Sequence, residues 1–330
     1  MTLPSHSSLC LSAEQSELRD TVRAFLARLP DAPWSRFAGE LGVAGLAVPE
    51  EYGGAGCGPA ETAVVCEELG RALSAHPYLQ TAVLAVEAIT ATGDPAVMAR
   101  LLPDLAGGSL TATVLLPDDA GLTLEGDLLT GTARAVLPGE LVLALVGGTL
   151  VEAVPSSRVP LPTLDQTRPL VALAFDAVPV VRLGGGAPER VRDAGVAALA
   201  AEQVGGAAAC LEAAVSHARQ RHQFGRAIGS FQAVKHKLAD MLLLVESARS
   251  AALAAARAPA PELPVLAAVA GSYCTEAYLG AAAENIQLHG GTGITWEHPA
   301  HRYFKRATCD AWLFGPPQAH RARLASAAGL

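Results

Sequence analysis

The sequence predicts an α+β protein that is mainly α: an N-terminal helical domain, a small middle β-barrel or sandwich domain, and a C-terminal four-helix bundle. Three observations predict it. Apolar residues recur at helical spacing up to about residue 107 and again beyond residue 187. Between those limits, short β-branched and Leu/Val runs alternate with Gly, Pro and Asp turns. A glycine run, Gly184, Gly185 and Gly186 with Pro188, separates the strands from the second helical stretch. The expected domains are therefore residues 1–107, 108–186 and 187–330.

The first helix is expected over Ser12 to Leu29. Ser12 and Gln15 stand in capping-box spacing, and Leu18, Val22, Phe25 and Leu26 recur on one face. Leu41 to Gly56 reads as a short apolar stretch ending in a glycine-rich loop, Pro-Glu-Glu-Tyr-Gly-Gly. Helical patterns follow over Pro59–Leu73, Pro77–Thr92 and Pro95–Leu105. Six or seven strands are expected next, with runs at Thr111–Leu116, Leu141–Val146, Thr149–Val154, Leu170–Phe175 and Val178–Leu183. The bundle helices are expected over Val191–Arg219, Phe231–Ala256, Leu263–Leu288 and His301–Ser326, with Pro259, Pro261 and Pro264 breaking the chain between the second and third.

Composition narrows the function. With 51% hydrophobic and 17% charged residues in 330, the chain has enough apolar material for a substantial core. A net charge of −8 without a basic block argues against nucleic acid or an anionic membrane surface as partner. No apolar run reads as a membrane span, and MTLPSHSSLC reads as no secretory signal. The six cysteines, Cys10, Cys57, Cys66, Cys210, Cys274 and Cys309, are scattered without a C-x-x-C pair. They read as reduced, mostly buried thiols, and the expected location is cytoplasmic.

Two stretches carry the chemistry: RHQFGRAIGSFQAVKHKLADM from Arg221 to Met241, and QLHGGTGITW from Gln287 to Trp296. Each places glycines and fixed polar side chains between helices, where bare backbone and a few donors can reach an anionic cofactor. Arg221 offers a permanently charged fork suited to a diphosphate. His222, His236 and His289 have no ligand spacing with Cys, Asp or another His, so no metal site is expected, and Trp296 with Glu297 and His298 reads as packing for the glycine turn.

These two motifs, in this order, closely resemble the C-terminal domain of the acyl-CoA dehydrogenases, a family of FAD-dependent flavoproteins. The resemblance implies an oxidoreductase of fatty-acid, lipid or steroid metabolism that acts on an acyl-CoA or other acyl thioester. An electron-transfer flavoprotein is the implied acceptor. It assigns Arg221, Phe224, Gln232, Gln287, Gly290 and Gly291 to the FAD of a neighbouring subunit, and places the Leu41–Gly56 loop near the acyl-chain entrance. It also implies a carboxylate that removes the α proton of the thioester while the flavin takes the β hydride.

That carboxylate is missing. The usual position holds Phe314, within Trp312-Leu313-Phe314-Gly315-Pro316-Pro317, and the alternative position on the first bundle helix holds Gly195. Glu202, two turns on from Gly195, and Asp310 are candidate displaced bases, set against a reading of both as ordinary helix carboxylates. The β-domain loop that grips the flavin and thioester in the family corresponds to Leu115–Gly121, which has no Ser or Thr. What survives is the half of the FAD site lent to a neighbour; what is absent is the half a subunit uses itself. This resembles the short, base-lacking subunits of heteromeric actinobacterial acyl-CoA dehydrogenases, some of which act on steroid side-chain thioesters. The expected function is completion of the FAD site of a catalytic partner, in an α2β2 or similar assembly. A self-sufficient homo-oligomer with a displaced base, and a non-redox or scaffolding member of the fold, stay open.

Overall fold

The computed structural model describes residues 10–117 and 120–329. Most of the segment MTLPSHSSLC, and Asp118 and Asp119 of the Leu115–Gly121 loop, lie outside the described residues. The N-terminal helices are α1 (Ala13–Arg28), α2 (Trp34–Leu41), α3 (Pro59–Arg71), α4 (Val86–Thr90, continuing a π-helical segment, Leu79–Ala85) and α5 (Pro95–Ala106). The strands are β1 (Ala112–Leu115), β2 (Ala120–Glu125), β3 (Leu128–Val136), β4 (Leu141–Val146), β5 (Thr149–Ala153), β6 (Ser157–Leu161) and β7 (Leu170–Gly185). Then come α6 (Pro188–Gln220), a short hairpin of β8 (His222–Gln223) and β9 (Arg226–Ala227), α7 (Gln232–Ala256), α8 (Leu263–His289), α9 (Ala300–Asp310) and α10 (Pro317–Ala327). The predicted architecture of helices, sheet and helices is therefore the observed one.

Contacts group the chain into two compact units: Met1–Leu26, Ala63–Ser74 and Leu199–Leu330 form one, and Ala27–Thr62 with Ala75–Ala198 the other. The second holds the sheet. Its order is β1-β4-β5-β7-β3-β2, with β6 paired to β7. β7 joins the halves, pairing β3 and β6 along its first part and β5 along its last. The two runs Leu170–Phe175 and Val178–Leu183 are thus one long strand rather than two; Ala177 takes a left-handed φ of 48° where the pairing changes. Leu129, Val142, Val151 and Phe175 fill the core between its faces.

In the same unit, Asp94 caps α5 by accepting from Ala96 N at 2.8 Å and Val97 N at 3.3 Å, with Pro95 at the first helical position. Phe37 of α2 stacks on His76 with ring centroids 4.4 Å apart, beside Trp34 and Tyr78. Burial in this aromatic shell lowers the His76 pKa below its ordinary value.

The first unit is the bundle that carries both motifs. The capping box of α1 forms as its spacing predicts: Ser12 N donates to Gln15 Oε1 at 3.1 Å, and Gln15 N donates to Ser12 Oγ at 3.2 Å. α3 and the Leu199–Gln220 portion of α6 cross at glycines. A Cβ on Gly70 would lie 1.8 Å from the Glu202 carbonyl oxygen, and one on Gly205 would lie 1.8 Å from the Glu67 carbonyl oxygen. Only hydrogen at both positions lets the two backbones approach this far. Further along α6, Gly206 leaves room for the buried ring of Tyr278, and Cys210, Ala214, Met241, Val245, Ala281 and Ala307 close the core around it.

Among the described helices, α6 alone is long and apolar enough to cross a membrane, and 83% of its apolar window is buried inside the fold. The predicted fourth bundle helix, His301–Ser326, is two helices. Phe314 and Gly315 take φ of 58° and 102°, and Pro316 and Pro317 remove the amide donors a continuous helix needs. Of the six cysteines, three are buried, and burial pushes the Cys274 thiol up to about 12.

Candidate cofactor site

The first motif begins where α6 ends. Arg221 N donates to His217 O at 2.8 Å, the last helical bond, and the chain then turns through the β8–β9 hairpin. Gln223 pairs with Arg226, so the loop is the two residues Phe224 and Gly225, with φ of 51° and 76°. Positive φ at both positions is the requirement of a type I′ turn, normally met by Asn-Gly. A phenylalanine there is held in a conformation costing roughly 1–2 kcal/mol, and the ring is 90% exposed. Its contact is edge-on to Phe231 at 6.0 Å, while the Arg226 guanidinium lies 4.0 Å above Phe231. Strain and exposure of one aromatic are both unfavourable in isolation, and they coincide here. Replacing Phe224 with Asn is expected to raise the unfolding free energy by about 1 kcal/mol, read as a higher urea midpoint with unchanged slope.

Arg221 is exposed and makes no ion pair among the described residues. Gln232, also exposed, opens α7, whose first turn has no side-chain cap and no acidic residue. Those first amide N–H groups are unsatisfied donors at the positive end of the helix dipole.

The second motif ends α8. Gln287 is exposed one turn before a 3₁₀ turn, Gly290–Ile294. Gly290 has φ 61° and ψ −143°, a region in effect reserved for glycine, and stops the helix. A Cβ on Gly293 would meet Ile286 O at 2.9 Å and His289 Cβ at 3.0 Å, so the turn folds tightly back on α8. Gly290 and Gly291 have nothing within 4 Å of where a Cβ would be, which leaves open backbone facing outward.

The rings of His217 on α6 and His289 on α8 bring the motifs together, with centroids 4.2 Å apart. Arg221 lies one turn beyond His217, and the glycine turn starts directly after His289. His298 adds a third ring, 4.4 Å from His289. Trp296 does not pack the turn as expected: it is 66% exposed, with Lys305 Nζ 4.0 Å above its ring and His301 edge-on at 5.2 Å.

The carboxylates are placed differently. Glu202 Oε1 accepts from Arg306 Nη1 at 2.7 Å, and Arg306, only 1% exposed, also donates from Nη2 to Ser74 O at 3.2 Å. Asp310 is likewise 1% exposed. Tyr278, with its hydroxyl in the same bundle, has a pKa raised well above the ordinary value by burial and then by Cys210 and Asp310. Phe314 is half-buried in its left-handed conformation, and Gly195 is buried within α6. Neither position supplies a proton acceptor.

Two family models match the chain: the acyl-CoA dehydrogenase N-terminal domain over residues 12–109 and the acyl-CoA dehydrogenase C-terminal domain over residues 168–329. The chain belongs to the acyl-CoA dehydrogenase family. It is 37% identical to acyl-CoA dehydrogenase IpdE2 of Mycobacterium tuberculosis, over 95% of this chain and 96% of that protein. Among solved structures it resembles a chain of the ChsE4–ChsE5 complex from Mycobacterium tuberculosis, with a TM-score of 0.87, 25% identity, and coverage of 97% of this chain and 98% of that one. It also resembles a chain of the Tcur3481–Tcur3483 steroid ACAD, with a TM-score of 0.83, 30% identity, and coverage of 96% and 98%.

As an acyl-CoA dehydrogenase, an oxidoreductase family that uses FAD, this protein gathers its motif residues at one end of the bundle on exposed hairpin and turn backbone. Sequence reasoning missed His217 as part of this end. It lies in the long helix α6 upstream of the first motif, with no motif spacing to mark it, and only the packing of α6 against α8 pairs it with His289.

Proposed function

We propose that this acyl-CoA dehydrogenase subunit takes part in the α,β-dehydrogenation of an acyl thioester by completing the FAD site of a homologous catalytic subunit, rather than by housing a reaction of its own. The observation that carries this reading is Phe224: an aromatic ring held 90% exposed on a strained turn, next to the exposed, unpaired fork of Arg221. A partner surface that covers the ring converts both costs into binding energy.

The donors on this surface fit FAD. Arg221 forms charge-assisted bonds with the diphosphate; the bare backbone of Gly290 and Gly291 lets that group approach closely; Phe224 covers a planar ring; and Gln232 and Gln287 offer amides for hydrogen bonds. FAD, when bound, supplies the acceptor for the hydride leaving the β carbon. Removal of the α proton falls to a carboxylate of the partner subunit. The burial of Glu202 against Arg306 and the burial of Asp310 support that division, because neither carboxylate is poised in an open cleft. Apolar residues at helical spacing on α8, Val265, Val269 and Tyr273, and Leu242 and Leu243 on α7, stay exposed and suit a helix-to-helix subunit contact in an α2β2 or similar assembly. A bulky acyl group, such as a steroid side chain, fits a pair in which one subunit needs no acyl pocket. Electrons then pass to an electron-transfer flavoprotein.

The test is the visible spectrum of the purified chain, alone and co-expressed with a full-length homologue that carries the base. Flavin bands confined to the co-expressed complex are expected. Stoichiometric flavin in the lone chain, bleached by an acyl-CoA, would sink the proposal and return attention to Glu202 and Asp310.

A further inference from the structure

We propose that His217, His289 and His298, with Arg221, form an anion site at the α6/α8 end of the bundle, and that seating a diphosphate there takes up about one proton from solvent. The identification of the diphosphate with that of FAD rests on the reading above; the anion site itself rests on the geometry.

The protonation states follow from the hydrogen bonds. His289 Nδ1 lies 2.8 Å from Asn285 O, and a carbonyl only accepts, so Nδ1 carries a hydrogen and Nε2 is the basic nitrogen. At His298 the direction is reversed. Ala300 N donates to His298 Nδ1 at 3.2 Å, so that nitrogen is an acceptor and Nε2 carries the hydrogen of a neutral ring. A second proton on His298 would break the bond to Ala300. His298 is therefore a fixed neutral donor, and the proton taken up lands elsewhere in the cluster, on His217.

The side chains that act electrostatically on His217 and His298 are all basic. His289, Arg221 and His298 act on His217, and His289 and His301 act on His298. The flanking carboxylates are Glu284, bound to Lys237 Nζ at 2.6 Å, and Glu297, which is exposed. Both α6 and α8 end here, and their carbonyl ends favour cationic histidine, yet with the His289 ring 4.2 Å from His217 and 4.4 Å from His298 the three rings cannot all be charged. The His217 and His298 pKa values are accordingly held below the ordinary 6.5, first by desolvation and then by their cationic neighbours. A doubly charged anion removes that repulsion.

The sign follows. A bound anion raises the histidine pKa, so affinity is greatest below the pKa of the free cluster and is lost as pH rises through that of the bound one. Calorimetric titration of the full chain with inorganic pyrophosphate, in buffers of different ionisation enthalpy, reads this directly. Binding about tenfold tighter at pH 6 than at pH 7.5, with uptake of about one proton, is expected. Both should vanish in the double variant His217→Gln/His289→Gln, while Trp296→Phe, on the same end of the bundle, keeps them and controls for folding. Pyrophosphate binding that is independent of pH, or that survives the double variant unchanged, would overturn the inference. The heteromeric complex separates the two readings. FAD retained by the complex with an affinity indifferent to pH and to the double variant rejects the histidine site and leaves the FAD reading standing. Proton-linked pyrophosphate binding by a chain whose complex holds no flavin upholds the anion site and rejects the FAD reading.

Discussion

Replacing Arg306 with methionine is expected to lower the unfolding free energy by about 3–5 kcal/mol, the range for breaking one side of a buried ion pair. Arg306 is 1% exposed and Glu202 5%, with 2.7 Å between Nη1 and Oε1. Removing the guanidinium takes a charged donor away from the buried Glu202 carboxylate and from the Ser74 carbonyl. The double replacement Arg306→Met/Glu202→Leu removes both charges together. It is expected to recover most of the loss, because an apolar pair of similar volume avoids the desolvation cost. Urea midpoints of the wild type, the single variants Arg306→Met and Glu202→Leu, and the double variant give the coupling energy. The same series speaks to catalysis: the complex carrying Glu202→Gln is expected to lose stability but keep turnover per folded complex, whereas a base would lose turnover by orders of magnitude.

Replacing Arg221 with alanine is expected to weaken FAD retention in the co-expressed complex by about 10- to 150-fold, the equivalent of the 1.5–3 kcal/mol typical of a charged hydrogen bond. Stability should stay within about 0.5 kcal/mol, because the side chain is exposed and in no ion pair among the described residues. Lysine is expected to restore only part of the affinity, since it replaces a planar fork with a point charge. Flavin absorbance per complex after gel filtration is the readout. Full flavin occupancy in Arg221→Ala, held through dilution, would remove Arg221 from the site.

Regular elements were legible wherever one periodicity ran without interruption. The Ser12/Gln15 capping box, strand Leu141–Val146 and helix Leu263–His289 were all foreseeable because their signals are local. The misses have local causes too. β2 and β3, absent from the predicted strands, are interrupted by Gly121 and Gly131, which read as turn residues, and their partners lie along β7 or on each other. The break at Phe314 does carry a local signal, Gly315-Pro316-Pro317, which the single-helix expectation ran through, while the positive φ at Phe314 itself belongs to a non-glycine. At the candidate site, residue identities came from the resemblance of the two motifs to the family. What the resemblance could not supply was posture: that Phe224 faces outward under strain, that Glu202 is committed to Arg306, and that His217 meets His289. Each depends on contacts between segments far apart in sequence.

The exposed apolar set also governs how this chain's stability is to be measured. Phe224, Leu243, Ile294, Trp296 and Trp312 are each more than 60% exposed. A subunit that covers such side chains binds the folded chain and not the unfolded one, so it adds RT ln(1 + [partner]/Kd), about 2.7 kcal/mol at one hundred times Kd. On the proposed heteromeric reading, the melting temperature of this protein is a property of the mixture that rises with partner concentration, and a value obtained on the isolated chain is a lower bound.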